Sequence, residues 1–410
     1  MHLLLKNANV VDVGQDVSFQ KKDILIDGNR ISMISCAIPE EKAETTIDLT
    51  GKWVFPGMIN MHEHQSYKRL VGPLYGPNGS CTGLEGVDLG IRAVRSSLFS
   101  IKSGITTICE MGALHNLSVA MKKAVNRKVI PGPRMFISDQ HLTTVGGHSH
   151  ELAREIADSA DMEKAVYETL GKGCEWVKLL TSHEPVKNGN DGIIQAEMSE
   201  ELVSVAVRIA HANGARVAVH AMGQMQLDRV ISAGVDAIHH AAFLSPEQAA
   251  KMKEKGIALV STISAYRNTS SPSFERGEAW AKENLPLRPG LEMALKSALN
   301  AGVLIAPGTD SLGDLIDELL FMNEYGMSLP ECLKSVTINA AEILGQKDSL
   351  GSLEESKLAD MVILDKDPTA SLENLRAISF VIKDGEVYHL ENLSLENTDP
   401  KWFLEKAPRV

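Results

Sequence analysis

The sequence predicts an α/β fold in which a (β/α)8 barrel accompanies a small β-sandwich formed from both chain ends. Between Trp53 and Ala306, eight short apolar segments alternate with segments of helical spacing, a pattern typical of a parallel sheet or barrel. On both sides of this stretch the chain has the pattern of short strands and turns. The simplest arrangement pairs the two ends, which gives a barrel domain of residues 56–348 inserted into a β-sandwich of residues 1–55 and 349–410.

Length and charge exclude several classes of protein. The 410 residues suffice for a large barrel plus an accessory module, and a net charge of −12 argues against a nucleic-acid partner. No segment approaches the ~18 apolar residues of a membrane span, and the first residues lack a signal-peptide pattern. The five cysteines are scattered without a C-x-x-C pair, as reduced thiols in a cytoplasm would be. We therefore expect a cytoplasmic protein that acts on a small molecule, without a membrane partner, and either monomeric or homo-oligomeric.

The two chain ends carry strand patterns without obvious chemistry. The predicted strands are Leu3–Val13, Lys22–Ile34, Ile47–Leu49, Asp360–Asp365 and Phe380–Val387. Asp27-Gly28-Asn29 divides the second of these segments into a hairpin, because an Asp-Gly pair favours a tight turn between two apolar runs. These segments form the predicted β-sandwich.

The central part of the chain supplies eight βα units. The predicted strands are Trp53–Met61, Ile105–Glu110, Arg134–Ser138, Trp176–Leu180, Ala215–Val219, Ala237–Ile238, Ala258–Val260 and Val303–Ala306. The helical segments between them are Leu89–Lys102, Met162–Leu170, Glu200–Asn213, Gln226–Ala233, Pro246–Lys255 and Gly290–Asn300. Glycine follows several helices, for example at Gly256 and Gly302, as expected at a helix C-terminus. The irregular segments Gly72–Gly86 and Asn268–Pro289 follow predicted strands and are the expected lids or substrate loops.

Polar side chains recur where these strands end, which is the edge of a (β/α)8 barrel that carries the active site. His62 and His64 end the first strand, and their spacing places both side chains on one face. Two converging imidazoles suit a divalent metal, although one packed and one exposed histidine would have the same spacing. The residues at the other strand ends are Glu110, His148, Lys178, His220, His239, His240 and Asp310. Their recurrence at one edge favours a metal or catalytic site.

Each of these residues also has a structural interpretation when it is taken alone. Lys178 lies in an apolar strand, where an ammonium is costly to bury. It either pairs with a buried carboxylate, extends out of the barrel end, or is an amine of lowered pKa that is modified or metal-bound. His220 fits a core histidine, and Asp310 fits a cap of the following helix. The case for a site rests on their occurrence together.

Longer motifs surround these residues. They are Pro56–His64, Trp176–Leu179, Val217–Ala221, Asp236–His240, Gly308–Asp310, Thr337–Ala341 and Gly351–Asp360. Together they resemble the amidohydrolase superfamily of metal-dependent hydrolases, and within it the prolidase-like and imidazolonepropionase-like branch. The resemblance extends over nearly the whole chain.

The resemblance implies a binuclear centre of two divalent metal ions, with zinc as the expected metal. His62, His64 and Asp310 would bind the buried ion, and His220 and His240 the second. Lys178, carbamylated by carbon dioxide, would bridge both ions. A bridging hydroxide would attack the scissile carbonyl, and Asp310 would carry its proton to the leaving nitrogen. His148, in the motif Gly146-Gly147-His148, would polarise the carbonyl.

Two motifs depart from the branch pattern. Met222 stands where the branch has the second histidine of His-Ala-His-Gly, and His239 stands where it has the glutamate of Ile-Glu-His-Gly. Alignment assigns the ligand to His240, with His239 as a rival one position away. Because these changes alter the surroundings of the ligands, they put the usual dipeptide substrate in doubt. The candidate substrate contacts are His183, Tyr266 and Arg267, of which the arginine would suit a carboxylate or else lie in a surface loop.

The predicted function is hydrolysis of an amide-type C–N bond in a small molecule such as an N-acyl amino acid, dipeptide, cyclic amide or urea. The same centre would also serve a lactonase or phosphotriesterase. A heterocycle deaminase fits less well, since deaminases of this superfamily use one metal and lack the bridging lysine. A non-enzymatic scaffold is disfavoured by the complete set of ligands.

Overall fold

The computed structural model describes residues 2–66, 86–183, 197–267, 284–310 and 313–393. The predicted loops Gly72–Gly86 and Asn268–Pro289 lie for the most part outside the described residues. No helix in the described ranges combines the length and apolar character needed to cross a membrane.

The described residues form eighteen strands and ten α-helices. The strands are β1 (His2–Asp12), β2 (Ser18–Asp27), β3 (Arg30–Ser35), β4 (Thr45–Asp48), β5 (Trp53–Pro56), β6 (Met58–Glu63), β7 (Ile105–Glu110), β8 (Arg134–Ile137), β9 (Leu142–Thr144), β10 (Arg154–Ile156), β11 (Trp176–Leu180), β12 (Arg216–Ala221), β13 (Ala237–His240), β14 (Ala258–Ser261), β15 (Ile305–Pro307), β16 (Met361–Leu364), β17 (Ile378–Lys383) and β18 (Glu386–His389). The helices are α1 (Gly86–Lys102), α2 (Leu117–Asn126), α3 (Ser159–Gly171), α4 (Glu200–Ala212), α5 (Gln224–Ala233), α6 (Pro246–Lys255), α7 (Arg288–Ala301), α8 (Leu315–Glu324), α9 (Leu329–Lys334) and α10 (Ala340–Ile343).

Strands from both chain ends share one mixed sheet. Its order is β18-β17-β16-β5-β1-β2-β3, and β4 pairs with β1. The ends meet where β16 runs antiparallel to β5, with Val362 opposite Phe55. Buried aliphatic side chains such as Leu3, Ile24 and Ile363 form a core cluster of this sheet.

The remaining strands form two parallel sheets that alternate with helices along the chain. One has the order β6-β7-β8, and the other has the order β10-β9-β11-β12-β13-β14-β15. Backbone hydrogen bonds join the two sheets on two sides. Glu175 N, just before β11, donates to Ile137 O of β8 at 3.1 Å. Thr309 N and Asp310 N, just after β15, both donate to His62 O of β6 at 2.9 Å.

The chain passes from the mixed sheet to the parallel sheets at Gly57. The predicted single strand Trp53–Met61 is therefore wrong, because it is two strands in different sheets. A Cβ on Gly57 would lie 2.2 Å from Thr106 Oγ1, so only glycine permits this close approach. The apolar run continues across the division, so hydrophobic pattern alone does not reveal it.

A buried apolar cluster lies one layer below the candidate site in the parallel sheets. Ala218 and Ala237 are buried in a cluster with Trp176, Val260 and other strand residues. Side chains two residues apart share one face of a strand, so Lys178, His220 and His239 continue the rows that begin at Trp176, Ala218 and Ala237. His220 and His239 are also directly opposite each other in the β12–β13 register. The strand pattern thus delivers these three polar side chains to the same end of the sheet.

Candidate metal centre

Six side chains predicted as ligands converge at the carboxyl ends of the parallel strands. They are His62, His64, Lys178, His220, His240 and Asp310. The Nε2 atoms of His62 and His64 are 3.1 Å apart, and Asp310 Oδ1 lies 3.2 Å from the first and 3.4 Å from the second. The ring of His240 lies 5.2 Å from that of His62 and 4.5 Å from that of His220, between centroids.

Three of these residues meet the distance requirement for a single cation. His62, His240 and Asp310 each offer one ligand atom, and the three atoms lie within 4.8 Å of one another. Left-handed backbone conformations at His240 (φ 67°) and Asp310 (φ 49°) accompany this arrangement. Such conformations are rare for residues other than glycine and cost about 1–3 kcal/mol each. Consecutive side chains on a regular strand point to opposite faces. The left-handed conformation at His240 allows the side chains of both His239 and His240 to reach the site.

Hydrogen bonds on the far ring nitrogens orient two of the histidines. His64 Nδ1 lies 2.9 Å from Gly112 O, which can only accept, so this nitrogen carries the proton. His240 Nδ1 lies 2.6 Å from Thr262 Oγ1. When one ring nitrogen is occupied in this way, the other is free to bind a cation in a fixed direction.

His220 supplies a buried nitrogen that suits a metal. Its Nε2 has no hydrogen-bond partner among the described residues, which is uncommon for a buried polar atom. The ring stacks on His148, with centroids 4.4 Å apart and planes inclined by 16°. Four imidazoles, a carboxylate and a lysine amine in one cluster match the nitrogen and oxygen donors that zinc and similar ions prefer, so the residues present fit divalent cations.

Burial lowers the pKa of most histidines in the cluster. At His64 burial also acts downward, but the hydrogen bond with Asp310 and its charge outweigh burial and raise the pKa. Burial lowers the pKa of His62 and of His220 well below the usual value, and lowers that of His240 to about 3. These imidazoles are therefore neutral, as metal ligands must be. Burial raises the pKa of Asp310, but the hydrogen bond with His64 and the attraction of His64 and Lys178 outweigh it and bring the pKa to about 2. At neutral pH the carboxylate is ionised.

Lys178 is buried among these groups with its amine close to His239. Burial lowers the pKa of Lys178 to about 7, although Asp310 raises it. The neutral amine is therefore well populated near neutral pH. Its Nζ lies 3.2 Å from His239 Nδ1. His239 Nδ1 in turn lies 2.8 Å from His62 Nδ1, on the side of that ring opposite Asp310.

The predicted substrate contacts are only partly gathered at the cluster. His148 is half-buried against His220, and its backbone N donates to Glu197 Oε2 at 2.9 Å. His183 Nε2 lies 2.5 Å from Glu197 Oε1, and the His183 ring is 6.1 Å from that of His148. Tyr266 is buried, with its ring perpendicular to His240 at 5.7 Å.

Arg267 is directed away from the cluster towards α8. Its guanidinium lies 3.0 Å from Glu324 Oε2 and 4.0 Å above the ring of Phe321. The structure does not bring it to the candidate ligands, and its role with a substrate carboxylate stays a prediction.

Sequence reasoning missed three residues of the site. Thr262, which bonds His240, follows the seventh predicted strand and could have been found by the same strand-end rule. His141 is buried with its ring 5.9 Å from that of His64, and it just precedes β9, a short strand that was not predicted. Glu197 links His148 and His183, but no motif in its surroundings marks it.

Comparisons with known proteins agree with this architecture. A family model described as "Amidohydrolase family" matches residues 53–390. The chain is 28% identical to an ochratoxinase of Aspergillus niger, over 73% of this chain and 68% of the relative. It is 26% identical to an imidazolonepropionase of Mesorhizobium japonicum, over 85% and 86% of the two chains. A crystal structure of a Xaa-Pro dipeptidase with bound methionine has a TM-score of 0.83 and 27% identity, over 95% of this chain and all of the other. Because the family model covers most of the chain, the protein belongs to the amidohydrolase family and is an enzyme of the hydrolase class.

Proposed function

We propose that the protein hydrolyses an amide-type C–N bond of a small molecule at a centre of two divalent cations, with zinc as the expected metal. The observation that carries this proposal is the convergence of His62, His64, His220, His240, Lys178 and Asp310 at one end of the parallel strands. The substrate class comprises N-acyl amino acids, dipeptides, cyclic amides and ureas. Similarity to a Xaa-Pro dipeptidase supports an amide of the peptide type.

The scaffold of this proposal is a closed (β/α)8 barrel. The backbone bonds from Glu175 to Ile137 and from Thr309 to His62 support closure, since they join the two parallel sheets on two sides. We assign residues 56–348 to the barrel and residues 1–55 with 349–410 to the β-sandwich. The pairing of β5 with β16 supports the union of the two ends.

The ligands divide into two groups around Lys178. His62, His64 and Asp310 would hold one cation, and His220 and His240 would hold the other. Lys178 would contribute to both groups as a carbamate. Its neutral nitrogen would bond to the carbon of carbon dioxide and release one proton to solvent, which leaves an anionic carboxylate end. The pKa of about 7 supports this step, because it keeps the neutral amine available. Two cations held here would activate water and polarise the scissile carbonyl.

Neighbouring residues handle the proton and the substrate. Asp310 is ionised, so its free oxygen accepts a proton and passes it to the leaving nitrogen. His148, whose ring stacks on His220, donates a hydrogen bond to the carbonyl oxygen as negative charge develops there. Tyr266 and His183 contact the rest of the substrate, and the link from Glu197 to both His148 and His183 keeps these loops together.

A substrate panel tests the proposed reaction. Zinc-loaded enzyme is offered N-acyl amino acids, dipeptides, cyclic amides and ureas beside lactones and phosphotriesters. We expect turnover of at least one amide class that is abolished by a chelator and restored by zinc. Turnover of esters alone would replace the proposal with a lactonase or phosphotriesterase. Ammonia release from a heterocycle alone would replace it with a deaminase.

A further inference from the structure

His239 lies among the proposed ligands without belonging to their closest group. It is buried on β13, in register with His220. It occupies the position of the glutamate in the Ile-Glu-His-Gly motif of the branch that this sequence resembles. The close group of His62, His240 and Asp310 does not include it. Its contacts therefore need a separate explanation.

One nitrogen of His239 meets both a proposed ligand and the proposed bridge. His239 Nδ1 lies 2.8 Å from His62 Nδ1 and 3.2 Å from Lys178 Nζ. The other ring nitrogen of His62, Nε2, faces the opposite way and lies 3.2 Å from Asp310 Oδ1. His239 thus lies behind the proposed ligands rather than between them.

Metal binding by His62 would fix the direction of these hydrogen bonds. If His62 binds a cation through Nε2, the single ring proton of His62 is on Nδ1 and points at His239. His239 Nδ1 must then accept, so its own proton is on Nε2. Lys178 also presents an N–H to the same acceptor, and a carbamylated Lys178 keeps one N–H with which to do so. Both donors therefore converge on one imidazole nitrogen.

We propose that His239 is a positioning residue that fixes the metal-binding tautomer of His62 and holds the nitrogen of Lys178 in the same contact. This inference rests on the proposed metal centre and adds to it a coupling between one ligand and the bridge. The Nε2 of His239 is buried and has no hydrogen-bond partner in the described ranges. A buried polar atom left in that state costs about 1–3 kcal/mol, so burial of this ring is not explained by stability alone.

Two variants with the same branched side-chain skeleton separate the acceptor from the ring. In His239→Asn, the side-chain oxygen replaces Nδ1 as an acceptor close to the backbone. In His239→Leu, the new side chain has a volume similar to that of histidine but offers no hydrogen-bond acceptor. Loss of a partner behind a ligand typically weakens metal binding by about 10–100-fold. We expect a weakening in this range for His239→Leu and a change of less than about 3-fold for His239→Asn.

The readouts are zinc affinity by chelator competition, zinc content by mass spectrometry and the carbamate signal in 13C NMR after exposure to labelled bicarbonate. We expect His239→Leu to lose carbamate signal as well as affinity, while His239→Asn keeps both. Melting curves of the metal-free proteins control for folding, and the asparagine variant keeps the test valid if the leucine variant does not fold.

A loss of one zinc equivalent in both variants would make His239 a ligand and overturn the inference. Unchanged zinc and carbamate in both would also overturn it. Wild type that binds no zinc would instead contradict the proposed function itself.

Discussion

At the scale of single residues, the site is governed by contacts behind the side chains that would bind metal. Gly112 O fixes His64, Thr262 Oγ1 fixes His240, and His239 Nδ1 faces His62. Each contact uses the ring nitrogen that a cation would not need. The sequence pattern predicts the candidate ligands, and His239 with them, by their place at strand ends, and the same rule could have found Thr262. It gives no sign of the Gly112 contact, because a backbone carbonyl leaves no motif.

Glu110 gives a residue-scale prediction about pH. Burial raises the pKa of Glu110 to about 8 from 4.5, although His64 and the hydrogen bond from Gln65 N lower it. The folded chain therefore keeps this proton between about pH 4.5 and 8, where the unfolded chain loses it. The stability that the protonated form provides is lost as pH rises through this window. The cost of ionisation is on the order of a few kcal/mol.

We expect the melting temperature of the metal-free wild type to fall relative to that of Glu110→Gln as the pH rises from 5 to 8, because the buried histidines and Lys178 titrate alike in both proteins. The glutamine cannot ionise but has a similar shape. Calorimetry at several pH values measures the difference between the two curves. Parallel curves for the wild type and the variant would show that Glu110 does not keep its proton on folding.

At the scale of elements, strand and helix positions follow from the sequence where pattern and packing agree. β11 at Trp176–Leu180 and α6 at Pro246–Lys255 have their predicted bounds. The latter begins with a capping box of Ser245 and Gln248 and ends at Gly256 with a φ of 71°. The predicted Ala237–Ile238 strand extends to His240, since a polar pair of histidines hides the strand pattern.

Other element boundaries depend on tertiary contacts and could not be read from the pattern. The division at Gly57 arises from the close approach of Thr106, which belongs to a strand almost fifty residues later. The left-handed turns at His240 and Asp310 bring side chains into the site that a regular strand would direct elsewhere. Arg267 pairs with Glu324 and packs on Phe321 because α8 lies beside the end of β14. The sequence pattern does not predict that these two elements are neighbours.

The turn after β14 gives an element-scale prediction. The buried carboxylate of Glu318 on α8 accepts from Ser261 Oγ at 2.6 Å, Ile263 N at 2.9 Å and Ser264 N at 2.6 Å. This carboxylate therefore holds the turn that carries Thr262 and Tyr266. Each buried donor left without its partner costs about 1–3 kcal/mol.

We expect Glu318→Ala to lower the free energy of unfolding by at least about 2 kcal/mol and to speed hydrogen exchange at the amides of Ile263 and Ser264. Glu324→Ala on the same helix is the control, because that side chain is exposed. Urea unfolding and exchange mass spectrometry supply the measurements. Equal effects in the two variants would show that Glu318 does not organise the turn.

At the scale of the whole molecule, an ion-pair group joins the parallel strands to the mixed sheet. Arg134 on β8 pairs with Asp360, which directly precedes β16, and with Asp384, which directly follows β17. Asp384 N also donates to Asp360 Oδ1 at 2.8 Å. The pairing of the chain ends was predictable from strand patterns on both sides of the βα units. The ion pairs of Arg134 were not predictable, since a single charged residue in a sequence gives no indication of its partner.

Arg134→Met tests how much this group contributes. Removal of one partner from a fully buried ion pair costs about 3–5 kcal/mol, because the charge that remains is uncompensated, and this partly buried group approaches the lower end of that range. We expect a loss of this order in urea unfolding. The exposed pair of Lys128 with Glu386 is the matched comparison, and Lys128→Met is expected to cost less than about 1 kcal/mol. Similar costs for both variants would mean that the buried group does not hold the sheets together.

The central claim is a two-metal site bridged by Lys178, and a zinc titration tests it most directly. Metal-free enzyme is titrated with zinc while amide hydrolysis and bound metal are measured on the same samples. We predict that activity reaches its maximum at two zinc ions per chain. We also predict that Lys178→Ala binds fewer zinc ions and loses at least about 100-fold in kcat, since the bridge and its charge are removed. Full activity at one zinc ion per chain, with Lys178→Ala as active as the wild type, would contradict the account.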